Sequence, residues 1–323
     1  MTVVELLVVI AILGMLIALI LPAVQTARSA SRAAMCQSNL RQIVQAIHHY
    51  SDALGTLPPG AMLVGDRRYG GSRPPCTAKG FDQSVFVRIL PFIDSKSSYD
   101  LVNQGLSIHG PENTTLSSKV VSLYACPSDP AATRLLPVGP ETSYAFSHSP
   151  QLIEAAVRSS YALCYGSLAG FGAVIYYPDC VVPSIRIAQM NGVFNNIAPL
   201  QVGDVTDGLS HTMFLADHSF GEDTSQRGGL YGQWVSGAIG DTLFLALLPP
   251  NAHQSFADND RAYEAATSFH PFGVHVAFGD GSVRFVSNSV HSWSLRGTTD
   301  DPPSPGIWQA LATRNGGDPT GDF

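Results

Sequence analysis

Charged side chains are scarce in this chain. Asp, Glu, Lys and Arg make up 13% of its 323 residues, about half the share that is usual in globular domains. Acidic residues outnumber basic ones, 25 to 18, and the pI is near 5.7. Proteins that bind nucleic acids concentrate Lys and Arg on one face, so this composition argues against such a partner.

Motifs of the common enzyme classes are also missing. The sequence has no Walker A loop, no dinucleotide-binding glycine fingerprint and no G-x-S-x-G nucleophile elbow. Ser, His and Asp occur often, but in no order that pairs a nucleophile with a base. We therefore expect neither an enzyme activity nor a bound cofactor.

The first 24 residues, in contrast, are almost purely apolar. Every residue of Leu6–Leu21 is apolar or Gly, and Glu5 is the only charge before Arg28. At 1.5 Å per residue, a helix over Thr2–Ala23 spans about 33 Å, enough to cross a hydrocarbon core of about 30 Å. We interpret residues 1–24 as a transmembrane anchor, because a cleavable signal has a shorter apolar region and a positively charged start.

The charges around this anchor leave its orientation open. Arg28 and Arg32 follow the anchor and would hold that side in the cytoplasm. Either the rest of the chain is cytoplasmic, or a basic leader before Met1 is missing from this sequence. Glu5 is a candidate functional residue, because a carboxylate inside an apolar span costs free energy unless it has a partner.

Beyond the anchor the helical pattern becomes amphipathic. Apolar residues recur every three or four positions, at Cys36, Leu40, Ile43, Ile47 and Tyr50. Gly55 ends the pattern. We predict one helix from Thr2 to about Leu54, kinked at Pro22, with residues 25–55 as its amphipathic half. Residues 56–323 then form a head domain.

The head has a turn-rich composition, since the chain holds 30 Gly and 22 Pro. Val274–Phe278 and Val283–Val286 flank an Asp-Gly pair, which predicts a hairpin with a type I′ turn. Further strand candidates are Phe86–Leu90, Val120–Tyr124 and Gly172–Tyr177, and Ile307–Leu311 is a short helix candidate. The predicted fold class is α+β, with the long N-terminal helix packed on an antiparallel β-rich head.

Thr2–Leu7, the apolar run after it, and the helix-weakening Gly14 and Pro22 form one pattern. It resembles the N-terminal methylation segment of type IV pilins and type II secretion pseudopilins. The resemblance implies a pilin-like fold, leader cleavage by a prepilin peptidase, and methylation of the first mature residue, a position that Met1 occupies. It also implies that Glu5 meets the amino terminus of a neighbouring subunit. The chain departs from the pattern in having no leader, no Gly before the site and no Phe at the first position.

His270 is followed by nine residues and then by Asp280-Gly281. Other blocks accompany this spacing, at Cys36–Ile43, Leu57–Gly60, Cys126–Pro130, Ser160–Ala162, Val205–Gly208 and Leu311–Gly317. Together they resemble prepilin-type proteins that carry an H-x9-DG signature. The role of that family is largely unassigned, and its members are sometimes filed with bacterial solute-binding proteins.

The five cysteines, at positions 36, 76, 126, 164 and 180, fit an exported head with disulfides and one thiol left over. Cys164 and Cys180 would close a short loop and are the most local pair. Cys36 and Cys126 both lie in blocks of the resemblance, and their bond would join the helix to the sheet of the head. Free buried thiols are the alternative.

His270, Asp280 and Gly281 allow two interpretations. They could belong to a metal or partner site, or Asp280-Gly281 could be only a turn and His270 only a hydrogen-bonding loop residue. We favour the second, because no further ligand set with metal-type spacing supports the first. Asp204 and Asp207 are weak calcium candidates, with a solvated turn as the alternative, since the EF-hand order is absent.

Two functions follow as expectations. The first is a structural subunit of a filament like a type IV pilus or a type II secretion pseudopilus. Its partners would be the membrane, like subunits through the N-terminal helix, the prepilin peptidase, and the secretion or pilus machinery. The second is a membrane-tethered protein whose head binds a solute or glycan without polymerising. Both imply a single pass through the cytoplasmic membrane, with the head in the periplasm, in another extracytoplasmic space or at the cell surface.

Overall fold

One helix, α1, runs from Val3 to Leu54 over 52 residues, as predicted from the sequence. Pro22 lies inside α1 without ending it, and the Thr26 hydroxyl donates a hydrogen bond to the Pro22 carbonyl at 3.0 Å. The computed structural model describes residues 3–62, 83–106, 108–137, 155–167, 190–195, 200–219, 232–252, 265–293 and 306–317.

Gly55 ends α1 for a stereochemical reason. Its φ of +78° is a left-handed conformation that favours glycine, and its N–H donates to the Ser51 carbonyl at 2.8 Å. The helix therefore stops where the sequence pattern predicts.

The head is built from short elements. Its described helices are α2 (Val85–Arg88), α3 (Lys96–Tyr99), α4 (Thr114–Ser117) and α5 (Ile307–Ala310), with 3-10 turns at Leu90–Phe92, Pro111–Asn113, Ser122–Tyr124 and Val202–Asp204. Its described strands are β1 (Ala61–Met62), β2 (Gln83–Ser84), β3 (Leu135–Pro137), β4 (Ala155–Val157), β5 (Tyr161–Gly166), β6 (Met213–Asp217), β7 (Leu243–Leu245), β8 (Gly273–Phe278) and β9 (Val283–Ser287). The helix α5 confirms the prediction for the C-terminal region.

Two strand predictions are wrong. Phe86–Leu90 falls in α2 and the 3-10 turn after it, and Ser84 begins that helix by accepting a hydrogen bond from the Val87 N–H at 3.2 Å. Val120–Tyr124 contains a 3-10 turn instead of a strand. Short apolar runs of this length fit a buried strand and a buried helical turn equally well. The third candidate, Gly172–Tyr177, lies outside the described residues.

The central sheet has the strand order β7-β5-β6-β8-β9. Its neighbouring strands are antiparallel except for β5 and β7, which are parallel. Two small antiparallel ladders, β1-β2 and β3-β4, accompany it in the described part of the head. The chain is therefore α+β, with a mixed but mostly antiparallel sheet.

Four strands of this sheet, β5 to β8, are buried on both faces, since every residue of each is buried and alternate residues point to opposite sides, whereas the edge strand β9 is mostly exposed. One face packs in a single cluster with α1, and includes Leu163, Leu215 and Ala277 together with Cys36, Leu40, Ile43 and Ile47 of the helix. The other face packs on α5, and includes Cys164, Ala216 and Val276 together with Trp308. The predicted apolar stripe of α1 is thus the surface that holds the helix on the head.

The hairpin of β8 and β9 is present, but its turn differs from the predicted one. The Gly281 N–H donates to the Phe278 carbonyl at 3.0 Å, and the Phe278 N–H donates to the Ser282 carbonyl at 2.9 Å. A positive φ occurs at Gly281 (+84°) but not at Asp280, as a type I′ turn would require. The loop therefore has three residues, a type I turn followed by a glycine bulge.

Candidate functional site

The first part of α1, residues 3–35, is exposed at every position except Ala33, which is half-buried. No side chain of residues 3–35 is buried, and Cys36 is the first that is. This apolar part reaches a mean hydropathy of 3.1 over 18 residues. Among the described residues α1 is the one helix long and apolar enough to cross a membrane, which is consistent with a single-pass anchor or a signal sequence.

The residues predicted to act in assembly and processing lie on or before this exposed part. Glu5 is exposed in the first turn of α1. A Cβ added at Gly14 would have no atom within 4 Å, so packing within this chain does not require a glycine at this position. Met1 lies outside the described residues.

A disulfide joins α1 to the head at the point where burial begins. Cys36 and Cys126 are bonded, with their Cα atoms 5.1 Å apart. The Asn39 side-chain amide, one turn further along α1, donates to the Ala125 carbonyl at 3.1 Å and to the Tyr161 hydroxyl at 3.2 Å. The bond therefore attaches α1 to the segment after a 3-10 turn, and not to the sheet itself as predicted.

The other predicted pairing is not formed. Cys164 is a free, fully buried cysteine in β5, and burial raises the pKa of its thiol to about 12. A thiol with so high a pKa stays protonated and unreactive at neutral pH. Cys180, its predicted partner, lies outside the described residues.

The segment after Cys126 is tied to the start of β5 by a buried carboxylate. Asp129 accepts hydrogen bonds from the Ser160 hydroxyl at 3.0 Å and from the Ala131 N–H at 2.9 Å. Burial raises the pKa of the Asp129 carboxyl, and these hydrogen bonds oppose that rise. Two of the sequence blocks, around Cys126 and around Ser160, thus meet in the fold.

Three metal-ligating side chains converge beside this junction. Asp217 is the last residue of β6, and His275 lies opposite it in β8, since Ala216 pairs with Val276. His275 Nδ1 lies 3.1 Å and His270 Nε2 lies 3.9 Å from Asp217 Oδ2. One ligand atom from each of the three side chains lies within 4.8 Å of the other two, and their residues are at most 8% exposed.

The surroundings of this cluster favour the neutral form of His270. Burial lowers the pKa of His270 below its ordinary value, with smaller contributions in the same direction from His275 and Arg32, against the opposing effect of Asp217. A neutral imidazole keeps a lone pair that can accept a proton or bind a metal ion.

The H-x9-DG signature is split between two places. His270 precedes β8 and Asp280 follows it, so the six residues of the strand, about 20 Å, separate them. Asp280 accepts a hydrogen bond from the Ser282 N–H at 2.8 Å, and His48 of α1 donates to the Gly279 carbonyl at 2.7 Å. The Asp-Gly end forms a turn, whereas the His end belongs to a buried cluster.

The calcium candidates are occupied by protein donors. Asp204 accepts the Gln201 N–H at 2.7 Å. Asp207 accepts the N–H groups of Gly316 and Gly317 at 2.7 and 2.9 Å, and the Thr313 hydroxyl at 2.9 Å. The bonds of Asp207 hold the C-terminal segment to the turn before β6, and the bond of Asp204 caps the 3-10 turn of Val202–Asp204, so both carboxylates have a structural role.

The sequence alone does not reveal His275 and Asp217 as partners of His270. They come from two strands and stand 58 positions apart, so no local spacing reveals them. The available signal was the polar His275 at a position of β8 that alternates with apolar residues, which only the strand register connects to Asp217.

A family model described as "Protein of unknown function (DUF1559)" matches residues 25–292. The match covers the amphipathic half of α1, the disulfide, the central sheet and the cluster of Asp217, His270 and His275. No match was found among curated proteins or among solved structures. Since the matched region is most of the chain, this protein belongs to the DUF1559 family.

Proposed function

We propose that this protein is a membrane-anchored, pilin-like structural subunit that assembles with its own copies through the exposed part of α1. The observation that carries the proposal is the contrast of burial within one continuous helix. Residues 3–35 bury no side chain, whereas the stripe from Cys36 to Ile47 is fully buried on the head. An exposed apolar surface of this extent marks an interaction with a membrane or with other proteins.

The length of the exposed part supports assembly in addition to anchoring. A span of about 20 residues crosses the hydrocarbon core, while the exposed part of α1 covers residues 3–35, about 50 Å of helix. Residues 25–35 therefore lie outside the hydrocarbon layer, and none of their side chains is buried on the head. In a bundle of parallel copies, neighbouring helices would cover this segment.

Glu5 provides a way to fix the axial position of neighbouring helices in such a bundle. An ionised carboxylate in lipid is costly unless a positive group meets it, and the resemblance to pilins supplies the amino terminus of a neighbouring copy as that group. The disulfide of Cys36 and Cys126 supports a head in an oxidising, extracytoplasmic compartment.

The test is copurification of two differently tagged full-length copies from membranes. Wild-type copies should copurify, and Glu5→Ala should insert normally but reduce copurification at least tenfold, about 1.4 kcal/mol. Met15→Leu, an apolar exchange at an exposed position of the same helix, is the matched control and should behave as wild type. Equal copurification of Glu5→Ala and wild type would contradict the role of Glu5.

A second candidate, a tethered binding protein, is favoured by one observation. An open cleft of about 540 Å³ lies between α1 and the segment of residues 122–133, lined from the helix side by Met35, Asn39 and Gln42. This volume lies within the range of ligand sites, about 300–1,000 Å³. Wild-type copies that stay in the membrane fraction and never copurify would favour this function over the first.

A further inference from the structure

We infer that Asp217, His270 and His275 form a binding site for one divalent transition-metal ion, for which Zn²⁺ is the probe. Two imidazoles and one carboxylate are a common ligand set of zinc sites and of non-haem iron sites. The inference does not depend on whether the protein polymerises.

The strongest sign of a ligand is an unsatisfied oxygen. Asp217 is 1% exposed, and its Oδ2 accepts the His275 backbone N–H at 2.7 Å in addition to facing the two imidazoles. Its Oδ1 has less than 1 Å² of accessible surface and no hydrogen-bond partner in the described part of the chain. A buried acceptor without a partner costs free energy, and a bound cation would supply the missing interaction.

The spacing of the ligand atoms suits a metal of this size. Zn–N and Zn–O bonds of about 2.0–2.1 Å in a tetrahedron place neighbouring ligand atoms about 3.3 Å apart. The distances from Asp217 Oδ2 are 3.1 Å to His275 Nδ1 and 3.9 Å to His270 Nε2, and the three ligand atoms of the cluster lie within 4.8 Å of one another. Small side-chain rotations are enough to close the set around an ion.

The surroundings of the cluster are also compatible with a dication. Its three residues are at most 8% exposed, so the ion would enter a site with little access to water. Arg32 is the cation that acts on His270, but it is exposed on α1, where water and salt screen its repulsion.

The position of the site gives the ion a structural role. Its ligands come from β6, from β8 and from the loop before β8, and Cys126 Sγ lies 3.6 Å from His270 Nε2. A bound ion would therefore fix the end of the sheet next to the disulfide that attaches α1.

The disulfide also defines a rival site. Cys36, Cys126 and His270 form a second group of close ligand atoms, but the sulfurs can bind a metal as thiolates only after reduction. The two sites share His270, so the redox state of the protein distinguishes them.

The experiment uses the full chain in detergent, stripped with a chelator and kept oxidised. Titration with Zn²⁺ against a chromophoric chelator should show one ion per chain, and saturating Zn²⁺ should raise the melting temperature. His270→Gln and Asp217→Asn should each weaken Zn²⁺ binding at least about 100-fold, since even residues that only support ligands cost 10–100-fold. His48→Gln, at the other end of β8, is the matched control and should bind Zn²⁺ as wild type does.

Three results would overturn the inference. These are less than stoichiometric Zn²⁺ in the oxidised wild type, equal affinity of His270→Gln and wild type, and binding that appears only with reductant and disappears in Cys126→Ala. Should Asp217→Asn fail to fold, His270→Gln decides alone, because His270 lies in a loop outside the strands.

Discussion

The two halves of α1 share one backbone conformation and differ in all their surroundings. From Val3 to Val24 the large apolar side chains are 41% to 80% exposed, whereas Leu40, Ile43 and Ile47 are 0% exposed. The first half is apolar on every side, and the second is apolar along one stripe. The second half is therefore held by the head, and the first half depends on lipid or on other chains.

The place on α1 where burial begins, at Cys36, is joined to the head by several interactions. The disulfide, the side chain of Asn39 and the cluster of Asp217, His270 and His275 all lie there. Forces on the exposed half would reach the head through this junction. Changes at the junction and in the second half should thus weaken the head, while changes in the first half should not.

The largest effect is expected from removal of the disulfide. The bond closes a loop of 90 residues, so its loss from the double variant Cys36→Ala/Cys126→Ala should lower the free energy of unfolding of the head by about 4 kcal/mol. Urea denaturation of the detergent-solubilised protein measures this. Reductant should bring the wild type to the midpoint of the variant and leave the variant unchanged. A wild type that is insensitive to reductant would contradict the prediction.

A matched pair of isoleucines compares the two halves directly. Ile43→Ala removes a fully buried side chain and should cost about 3 kcal/mol of head stability, through lost burial and the cavity that remains. Ile10→Ala makes the same change on the same helix at a position that is 58% exposed, and should leave the urea midpoint of the head unchanged. Equal losses from both variants would mean that the first half also packs on the head.

The sequence could predict those parts of the fold whose signals are local. The stripe beginning at Cys36, the end of α1 at Gly55 and the hairpin around Asp280-Gly281 all follow from spacing or turn chemistry within a few residues. The strand predicted at Phe86–Leu90 failed because a short apolar run carries no periodicity that separates strand from buried helix. The partners of His270 could not be found, since their proximity depends on the register between distant strands.

Acid should weaken the head and spare the first half of α1. Burial lowers the pKa of His109 to about 4. The imidazole is therefore protonated near pH 6.5 in the unfolded chain, but only near pH 4 in the folded head. Its contribution to stability is complete above pH 6.5 and is lost as the pH falls towards 4. Between pH 7 and pH 5, His109 should lower the free energy of unfolding of the head by about 2 kcal/mol.

In the variant His109→Gln, position 109 no longer binds a proton. Between pH 7 and pH 5 the free energy of unfolding of this variant should therefore fall by about 2 kcal/mol less than that of the wild type. His211→Gln replaces an exposed histidine and should follow the wild-type curve. Urea midpoints at several pH values give the three curves, and identical slopes for His109→Gln and wild type would reject the assignment.

The smallest effect compares a glycine inside α1, Gly14, with the glycine that ends it, Gly55. Added Cβ atoms at Gly14 and at Gly55 would both have no atom within 4 Å, so neither substitution by Ala creates a clash. Gly55 has a φ of +78°, a conformation that costs other residues about 1 kcal/mol, whereas Gly14 lies inside the helix, where Ala is preferred. Gly55→Ala should therefore lower the stability of the head by about 1 kcal/mol, and Gly14→Ala should leave its urea midpoint unchanged. A loss of head stability in Gly14→Ala would show that the two halves are coupled more tightly than their burial indicates.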